Sequence, residues 1–201
     1  MQENTYIEPK VQPDWKRPKD VYAILKYPEE KIMLRMQSKP VTAKAVEDMK
    51  LVDHIQKALK YGWTPGLGLA AIQIGVPVRM AWYSLQSKDG LKERTLINPE
   101  IVEKEAPYIF PFEGCMSIPD KRFTVDRYFR IVVKNGKEKF EATSLEAVMI
   151  QHEIDHMDGM LCFDRGHRNE NKIGRNDPCP KCSEKGVQVK WKKCKEHNVE
   201  A

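Results

Sequence analysis

Hydrophobic residues recur at every third or fourth position between Thr42 and Tyr61, on what would be one face of an α-helix. The apolar positions are Ala45, Met49, Val52, Ile55 and Leu59. Gly62 follows directly and is a typical helix end. The pattern therefore predicts the first helix here.

Residues 1–20 contain three prolines and little apolar periodicity, so they are predicted to form an irregular arm.

The pattern changes between residues 63 and 143 to short runs rich in β-branched and aromatic residues. Turn-forming residues separate the runs, which are VRMAWYSL, RTLINPEIV, APYIFPF, FTVDRYFRIVV and KEKFEAT. Such runs predict strands. Asn135-Gly136 before the last run predicts a hairpin, because both residue types tolerate positive φ. The middle of the chain is therefore predicted to be mainly antiparallel sheet.

A second helix is predicted after these strands. Thr143 and Glu146 have the spacing of a capping box, and Gly159 ends the pattern. His152 shares the apolar face of this helix with Leu145, Val148 and Met149. The fold class is therefore predicted to be α+β, with antiparallel sheets around this central helix.

Length and composition set the broad class of protein. The chain has 201 residues, of which 41% are hydrophobic, which suffices for one domain and a short appendage. It has no apolar run of membrane-spanning length and no secretory signal pattern, so we expect a cytoplasmic protein without membrane contact. Five cysteines, an odd number, favour metal binding or a reactive thiol over disulfides.

The stretch QHEIDHMDG carries the clearest chemical signal. His152 and His156 are four residues apart on the predicted helix, so their imidazoles can bind one metal ion. Glu153 lies between them and can reach a water molecule on that metal. This arrangement is typical of metal-assisted hydrolysis.

The third metal ligand has two candidates. Metzincin proteases continue this motif as H-x-x-G-x-x-H, which would place Cys162 in the last position after Gly159. The alternative is Cys115 in PFEGCMSIP, where Gly114 lets the backbone bend at the end of a predicted strand. Spacing does not separate the two. The strand-end context favours Cys115, whereas the apolar neighbours of Cys162 suggest a buried thiol.

PGLGLAAIQIG, residues 65–75, is a third informative stretch. Its glycines and alanines leave room for a peptide backbone close to a strand, and Gln73 offers an amide donor. The glycine spacing fits neither dinucleotide nor P-loop patterns.

Taken in order, GLGLAAIQIG, EGCMS and QHEIDHMDG resemble the three motifs of peptide deformylases. The resemblance extends to ILKYPEEKIMLRMQSKPV, LINPEI and GMLCFDR, and it covers roughly residues 20–165. Ile72 and Met116 depart from the usual proline and leucine. The resemblance implies hydrolysis of the N-formyl group on the first methionine of new polypeptides, with release of formate.

The resemblance also implies roles for individual residues. The metal ligands would be Cys115, His152 and His156, binding Fe²⁺ that Zn²⁺, Ni²⁺ or Co²⁺ can replace. The catalytic groups would be Glu153 as the acid–base, the Gln73 side chain and the Met116 backbone amide. The substrate-binding positions would be Gly66, Gly68, Leu69 and Gly114.

The end of the chain has a separate motif and most of the charge. Residues 165–201 carry ten Lys or Arg and five Asp or Glu, which accounts for the whole net charge of +5. Cys179, Cys182, Cys194 and His197 have the spacing of a structural zinc site. Their surroundings, IGRNDPCP and KWKKC, resemble the SEC-C motif, with altered cysteine spacing. We expect a catalytic domain over residues 1–165, a linker over 166–172 and a zinc module over 173–198 that docks on the ribosome or a chaperone.

Two other functions are compatible with parts of the sequence. A metzincin-like zinc endopeptidase would need Cys162 rather than Cys115 at the metal. A binding protein would act through the zinc module with an inactive body, which the presence of Glu153 and Gln73 disfavours.

Overall fold

The structure is a computed structural model that describes residues 18–62, 66–87 and 90–168, with side chains described up to residue 166. Most of the predicted arm, the end of the predicted linker and the whole zinc module lie outside the described residues. That includes Cys179, Cys182, Cys194 and His197.

The described residues form an α+β fold with two antiparallel sheets, as predicted. The helices are α1 Lys31–Leu34, α2 Ala43–Asp48, α3 Leu51–Lys60 and α4 Ser144–Met157. The strands are β1 Gly68–Ala70, β2 Met80–Ser87, β3 Gly90–Ile97, β4 Glu100–Cys115, β5 Ile118–Asn135, β6 Glu138–Thr143 and β7 Gly166–Arg168. Two short 3₁₀ turns lie at Ala71–Ile74 and Cys162–Asp164. No helix of the described residues is long and apolar enough to cross a membrane.

One sheet has the order β1-β2-β3, and the other has β4-β5-β6 with β7 paired to β5. Residues 166–168, assigned above to the linker, thus belong to the second sheet. Helix α4 packs against strands of both sheets, and most of its residues are buried. Its buried residues meet the strands in one core that includes Ala147, Ile150, Ile154 and Met157 with Tyr83, Leu96, Ile131 and Val133.

The prediction of a single helix between Thr42 and Tyr61 is wrong. The chain forms α2 and α3 there, separated by Met49 and Lys50, and the φ of 49° at Lys50 breaks the helix. A continuous helix would turn Met49 inward, yet Met49 is 40% exposed. The break instead lets Leu51 join Ile55 in the core.

The prediction of a capping box at Thr143 and Glu146 is also wrong. The Thr143 side chain makes no capping bond. The carboxylate of Glu146 instead accepts hydrogen bonds from Tyr83 Oη at 2.5 Å and Lys92 Nζ at 2.7 Å. Contacts with the first sheet therefore outweigh the local cap and fix the start of α4.

The hairpin predicted at Asn135-Gly136 forms between β5 and β6. Asn135 pairs with Glu138, so Gly136 and Lys137 make the turn, and Gly136 has a φ of 63°. The Asn135 side chain accepts from Ile97 N at 2.7 Å and donates to the carbonyl of Thr95 at 3.0 Å. The hairpin thereby ties the two sheets together.

The longest element is the hairpin of β4 and β5, which turns at Met116 and Ser117. The predicted run RTLINPEIV is interrupted at Asn98 and Pro99, and APYIFPF becomes part of β4. Register shifts near Phe110 and Glu113 mark bulges in the last part of β4. Because β4 ends at Cys115, the fold holds this cysteine rigidly beside α4.

Candidate active site

Helix α4 and the end of β4 bring together Cys115, His152 and His156. Cys115 Sγ lies 3.2 Å from His156 Nε2, which lies 3.2 Å from His152 Nε2. One ligand atom from each residue lies within 4.8 Å of the other two. Cys162 is outside this group; it is buried among Leu161 and Phe123, and burial raises the pKa of its thiol.

The charges around these atoms suit a cation. Burial lowers the pKa of His152, but hydrogen bonds with Cys115 and Glu113 outweigh burial and raise this pKa well above its usual value. Burial, and then the charge of His152, lower the pKa of His156. His152 thus favours its charged form and His156 its neutral form, so the surroundings accommodate one positive charge here. A thiolate and two imidazoles are suitable ligands for Zn²⁺ or Fe²⁺.

Glu113 holds the His152 ring through Nδ1, the ring nitrogen that does not face His156. Its Oε1 lies 2.8 Å from His152 Nδ1. Burial raises the pKa of Glu113, but hydrogen bonds from His152 and Arg127 outweigh burial and bring this pKa to about 2. An ionised carboxylate only accepts, so Nδ1 keeps its proton, and Nε2 is the nitrogen that a metal ion beside Cys115 and His156 would bind in place of a proton.

A buried ion-pair network extends from Glu113. Arg127 bonds Glu113 through Nε at 2.8 Å and Nη2 at 2.6 Å, and it reaches Asp155 through Nη1 at 2.6 Å. Asp155 also accepts from Arg165 Nε at 2.7 Å. Sequence reasoning missed Glu113, Arg127 and Asp155. The available signal was a charged residue inside a strand run, FTVDRYFRIVV, and an acid two residues before Cys115.

Gln73 points its amide nitrogen at the ligand cluster. Its Oε1 accepts from Ala70 N at 2.9 Å, which fixes the amide orientation. Its Nε2 then donates to Ser117 Oγ at 3.1 Å and lies 3.8 Å from Cys115 Sγ. A hydrogen-bond donor therefore lies beside the prospective metal.

Glu153 directly follows His152 on α4, and its side chain is buried. Its Oε2 has no hydrogen-bond partner among the described residues. Burial raises the pKa of Glu153 to about 7. A Cβ on Gly68 would lie 3.0 Å from Glu153 Oε1, so glycine lets β1 approach this carboxylate closely.

A cavity of about 280 Å³ lies beside the ligand cluster. It is lined by Gln73, Glu153, His152 and Cys115, and by Gly66, Gly68 and Gly114. Its apolar wall consists of Leu67, Phe110, Phe112, Met116, Leu145, Val148 and Met149. Leu69, also predicted to contact substrate, does not line the cavity, because its side chain is fully buried in the core.

Comparisons with known proteins show which family this chain resembles. The family model described as polypeptide deformylase matches residues 21–172. A peptide deformylase of Mesorhizobium japonicum is 43% identical over 139 residues, covering 66% of this chain and 77% of the relative. One of Heliobacterium modesticaldum is 39% identical over 150 residues, covering 72% and 93%. A Met-Ala-Ser-bound crystal structure of the Acinetobacter baumannii peptide deformylase has a TM-score of 0.60 at 26% identity, covering 72% of this chain and 98% of that one.

Proposed function

This chain belongs to the peptide deformylase family, and we propose that its cavity hydrolyses the formyl amide of formyl-methionyl peptides. The products are formate and a peptide with a free N-terminus. The observation that carries the proposal is twofold: Cys115, His152, Glu153 and Gln73 line one cavity with an apolar wall. The ligand atoms of Cys115, His152 and His156 also lie within 4.8 Å of one another.

Cys115, His152 and His156 would hold the metal, which we propose to be Fe²⁺, replaceable by Zn²⁺, Ni²⁺ or Co²⁺. A divalent cation bound there supplies the positive charge that acidifies water and polarises a carbonyl group. Three protein ligands leave room for substrate. Glu113 keeps the proton on His152 Nδ1, so that Nε2 stays available as a ligand.

Glu153 would move the protons. It takes a proton from the attacking water and delivers it to the nitrogen that leaves as the amine. Two features support this role: Oε2 has no partner among the described residues, and Gly68 lets strand β1 pass close to Oε1.

Gln73 and Met116 would stabilise the developing negative oxygen. The bond from Ala70 N to Gln73 Oε1 holds the Gln73 N–H groups toward Cys115. The backbone N–H of Met116, directly after Cys115, would be the second donor. Removing one such donor typically costs about 2.7 to 4 kcal/mol of transition-state stabilisation.

The substrate backbone would lie between Gly68 of β1 and Gly114 of β4, since both glycines line the cavity. The methionine side chain would then contact Leu145, Val148 and Met149 of α4. An apolar wall of this kind suits an unbranched thioether. The Acinetobacter baumannii relative is bound to Met-Ala-Ser, a peptide that begins with methionine. Activity on new chains places the proposed function in the cytoplasm.

The test is formate release from formyl-Met-Ala-Ser by the metal-loaded protein, with acetyl-Met-Ala-Ser as the control substrate. We expect turnover of the formyl peptide and a loss of several orders of magnitude in kcat for Glu153→Gln with its metal retained. No formate from the loaded wild type, or full activity of Glu153→Gln, would refute the proposal.

The two other functions are not favoured. A metzincin-like endopeptidase requires Cys162 at the metal, yet Cys162 lies outside the ligand group as a buried thiol. A binding protein would not need the buried Glu153 and Gln73 beside that group. The zinc site at Cys179, Cys182, Cys194 and His197, with docking of the basic tail on the ribosome or a chaperone, is a separate proposal that rests on spacing and charge alone.

A further inference from the structure

A second cavity, of about 310 Å³, lies against another face of α4. The helix residues that line it are Gln151, Ile154, Asp155 and Asp158. The two cavities share no lining residue. The ion pair of Arg127 and Glu113 lies between them, since Arg127 lines the second cavity and Glu113 lines the first. The second cavity is therefore separate from the candidate active site.

The most buried charges of the second cavity are already paired. Arg127 Nη1 lies 2.6 Å from Asp155 Oδ2, and both side chains are almost completely buried. Asp155 also pairs with Arg165 at 2.7 Å, and Arg79 pairs with Asp158. Breaking a buried pair is costly. These residues therefore form a fixed wall and do not supply the charge that selects a ligand.

The rim of the second cavity carries three exposed charged residues, Glu100, Lys104 and Asp126. Within residues 18–62, 66–87 and 90–166, none of the three forms an ion pair. The ammonium group of Lys104 instead lies 5.5 Å from the ring centroid of Tyr128, which also lines the cavity. The rim thus presents unpaired charges of both signs around an aromatic ring.

The β4–β5 hairpin sets the spacing of these charges. Lys104 pairs with Ile131 of β5, and Asp126 pairs with Ile109 of β4. The Lys104 side chain reaches along the hairpin to Tyr128, which is two residues from Asp126. Alternate residues of a strand lie roughly 7 Å apart on the same face. One small molecule can therefore reach charges of both signs.

The remaining lining residues favour an apolar body. Pro99, Ile101 and Ile154 line the second cavity together with the Tyr128 ring. Its volume is at the small end of the range for ligand cavities, which is roughly 300 to 1,000 Å³. The lining thus suits a short hydrocarbon chain with charged ends.

We propose that the second cavity binds a small linear molecule with an ammonium group at one end and a carboxylate at the other, such as an ω-amino acid. Lys104 takes the carboxylate, Glu100 and Asp126 take the ammonium group, and the chain lies along Tyr128. An anion without the ammonium group meets two carboxylates, and a cation without the carboxylate meets Lys104, so like-charge contact disfavours both. This inference does not rest on the proposed deformylase function.

Because the three charged side chains are exposed, each contact is modest and is weakened by salt. We expect the doubly charged ligand to bind about 10-fold more tightly than a ligand with either charge alone. The difference should diminish at high salt.

The experiment titrates the metal-loaded, full-length protein with 6-aminohexanoate, hexanoate and hexylamine, followed by NMR. The three probes share a linear hydrocarbon chain and differ in their charged ends. We expect 6-aminohexanoate to bind most tightly and to shift the backbone amide signals of Ile101 and Tyr128. Lys104→Gln should bring its affinity near that of hexylamine, and the double variant Glu100→Gln with Asp126→Asn should bring it near that of hexanoate.

The matched controls are Lys134→Gln and Asp120→Asn, exposed residues of β5 outside the lining of the second cavity. Both should keep the preference of wild type. Equal affinity for the three probes overturns the inference. A preference that survives in Lys104→Gln and in the double variant, or signal shifts confined to residues of the first cavity, also overturns it.

Discussion

His152 Nδ1 lies 2.8 Å from Glu113 Oε1, so a prospective metal ligand on α4 is held by a carboxylate on β4. Glu113 is in turn held by Arg127 of β5. The position of His152 therefore depends on the packing of the second sheet against the helix, and not on α4 alone.

Glu113→Gln should weaken metal binding. Glutamine cannot act as the anionic acceptor for His152 Nδ1–H, and loss of such an acceptor typically weakens binding by roughly 10- to 100-fold. Competition with a chelator measures the change. Glu103→Gln, an exposed position on the same strand, is the control. Equal affinity of both variants would show that Glu113 does not support His152.

Arg127→Met should destabilise the protein strongly. It leaves Glu113 and Asp155 as buried charges without their central partner, and breaking such a pair typically costs about 3 to 5 kcal/mol. Urea unfolding measures the loss. Arg130→Met is the matched control on β5, because its pairs with Glu105 and Glu141 are solvent-exposed and should contribute about 1 kcal/mol or less. Similar losses in both variants would contradict a special role for the buried network.

The network and the ligand cluster differed in how far the sequence could predict them. His152 and His156 belong to a helix with a regular apolar face, and Cys115 ends a strand, so local patterns sufficed to nominate them. Arg127 lies in a strand run where a charged residue usually faces solvent. Its burial follows from the meeting of β4, β5 and α4, which no local pattern records.

In the fold, too, features set by local sequence were predicted correctly, and features set by distant contacts were not. The hairpin at Gly136 followed from turn chemistry that acts within a few residues. The capping box failed because Tyr83 and Lys92, distant in sequence, bind Glu146. The first helix failed because burial of Leu51 depends on a break at Lys50. Tertiary contacts outweighed local propensity at both places.

Gln73→Met should lower kcat by about 10²- to 10³-fold, because it removes one hydrogen-bond donor to the developing oxyanion. We expect little change in KM, since the interaction strengthens in the transition state. Steady-state kinetics on formyl-Met-Ala-Ser gives both parameters, and metal content must match that of wild type. A change in KM alone would assign Gln73 to substrate binding.

The ion pair between Arg35 and Asp164 should make stability depend on pH. Burial raises the pKa of Asp164, but the hydrogen bond from Arg35 outweighs burial and lowers this pKa below 3.8. The contribution is therefore present above that value and is lost as the pH falls through the folded-state pKa. Asp164→Asn should reduce the unfolding free energy at pH 7 by about 1 kcal/mol, with a smaller difference from wild type at pH 3. A difference that is constant with pH would exclude the ion pair as its cause.

We propose that Cys115, and not Cys162, completes a deformylase metal site with His152 and His156. The most direct measurement is metal content with formate release in Cys115→Ala and Cys162→Ala. Both carry Cys179→Ser and Cys182→Ser, so that zinc in the tail is not counted. We predict that Cys115→Ala loses the metal and the activity, whereas Cys162→Ala retains both. Loss of the metal and activity in Cys162→Ala alone would show that Cys162 is the third ligand.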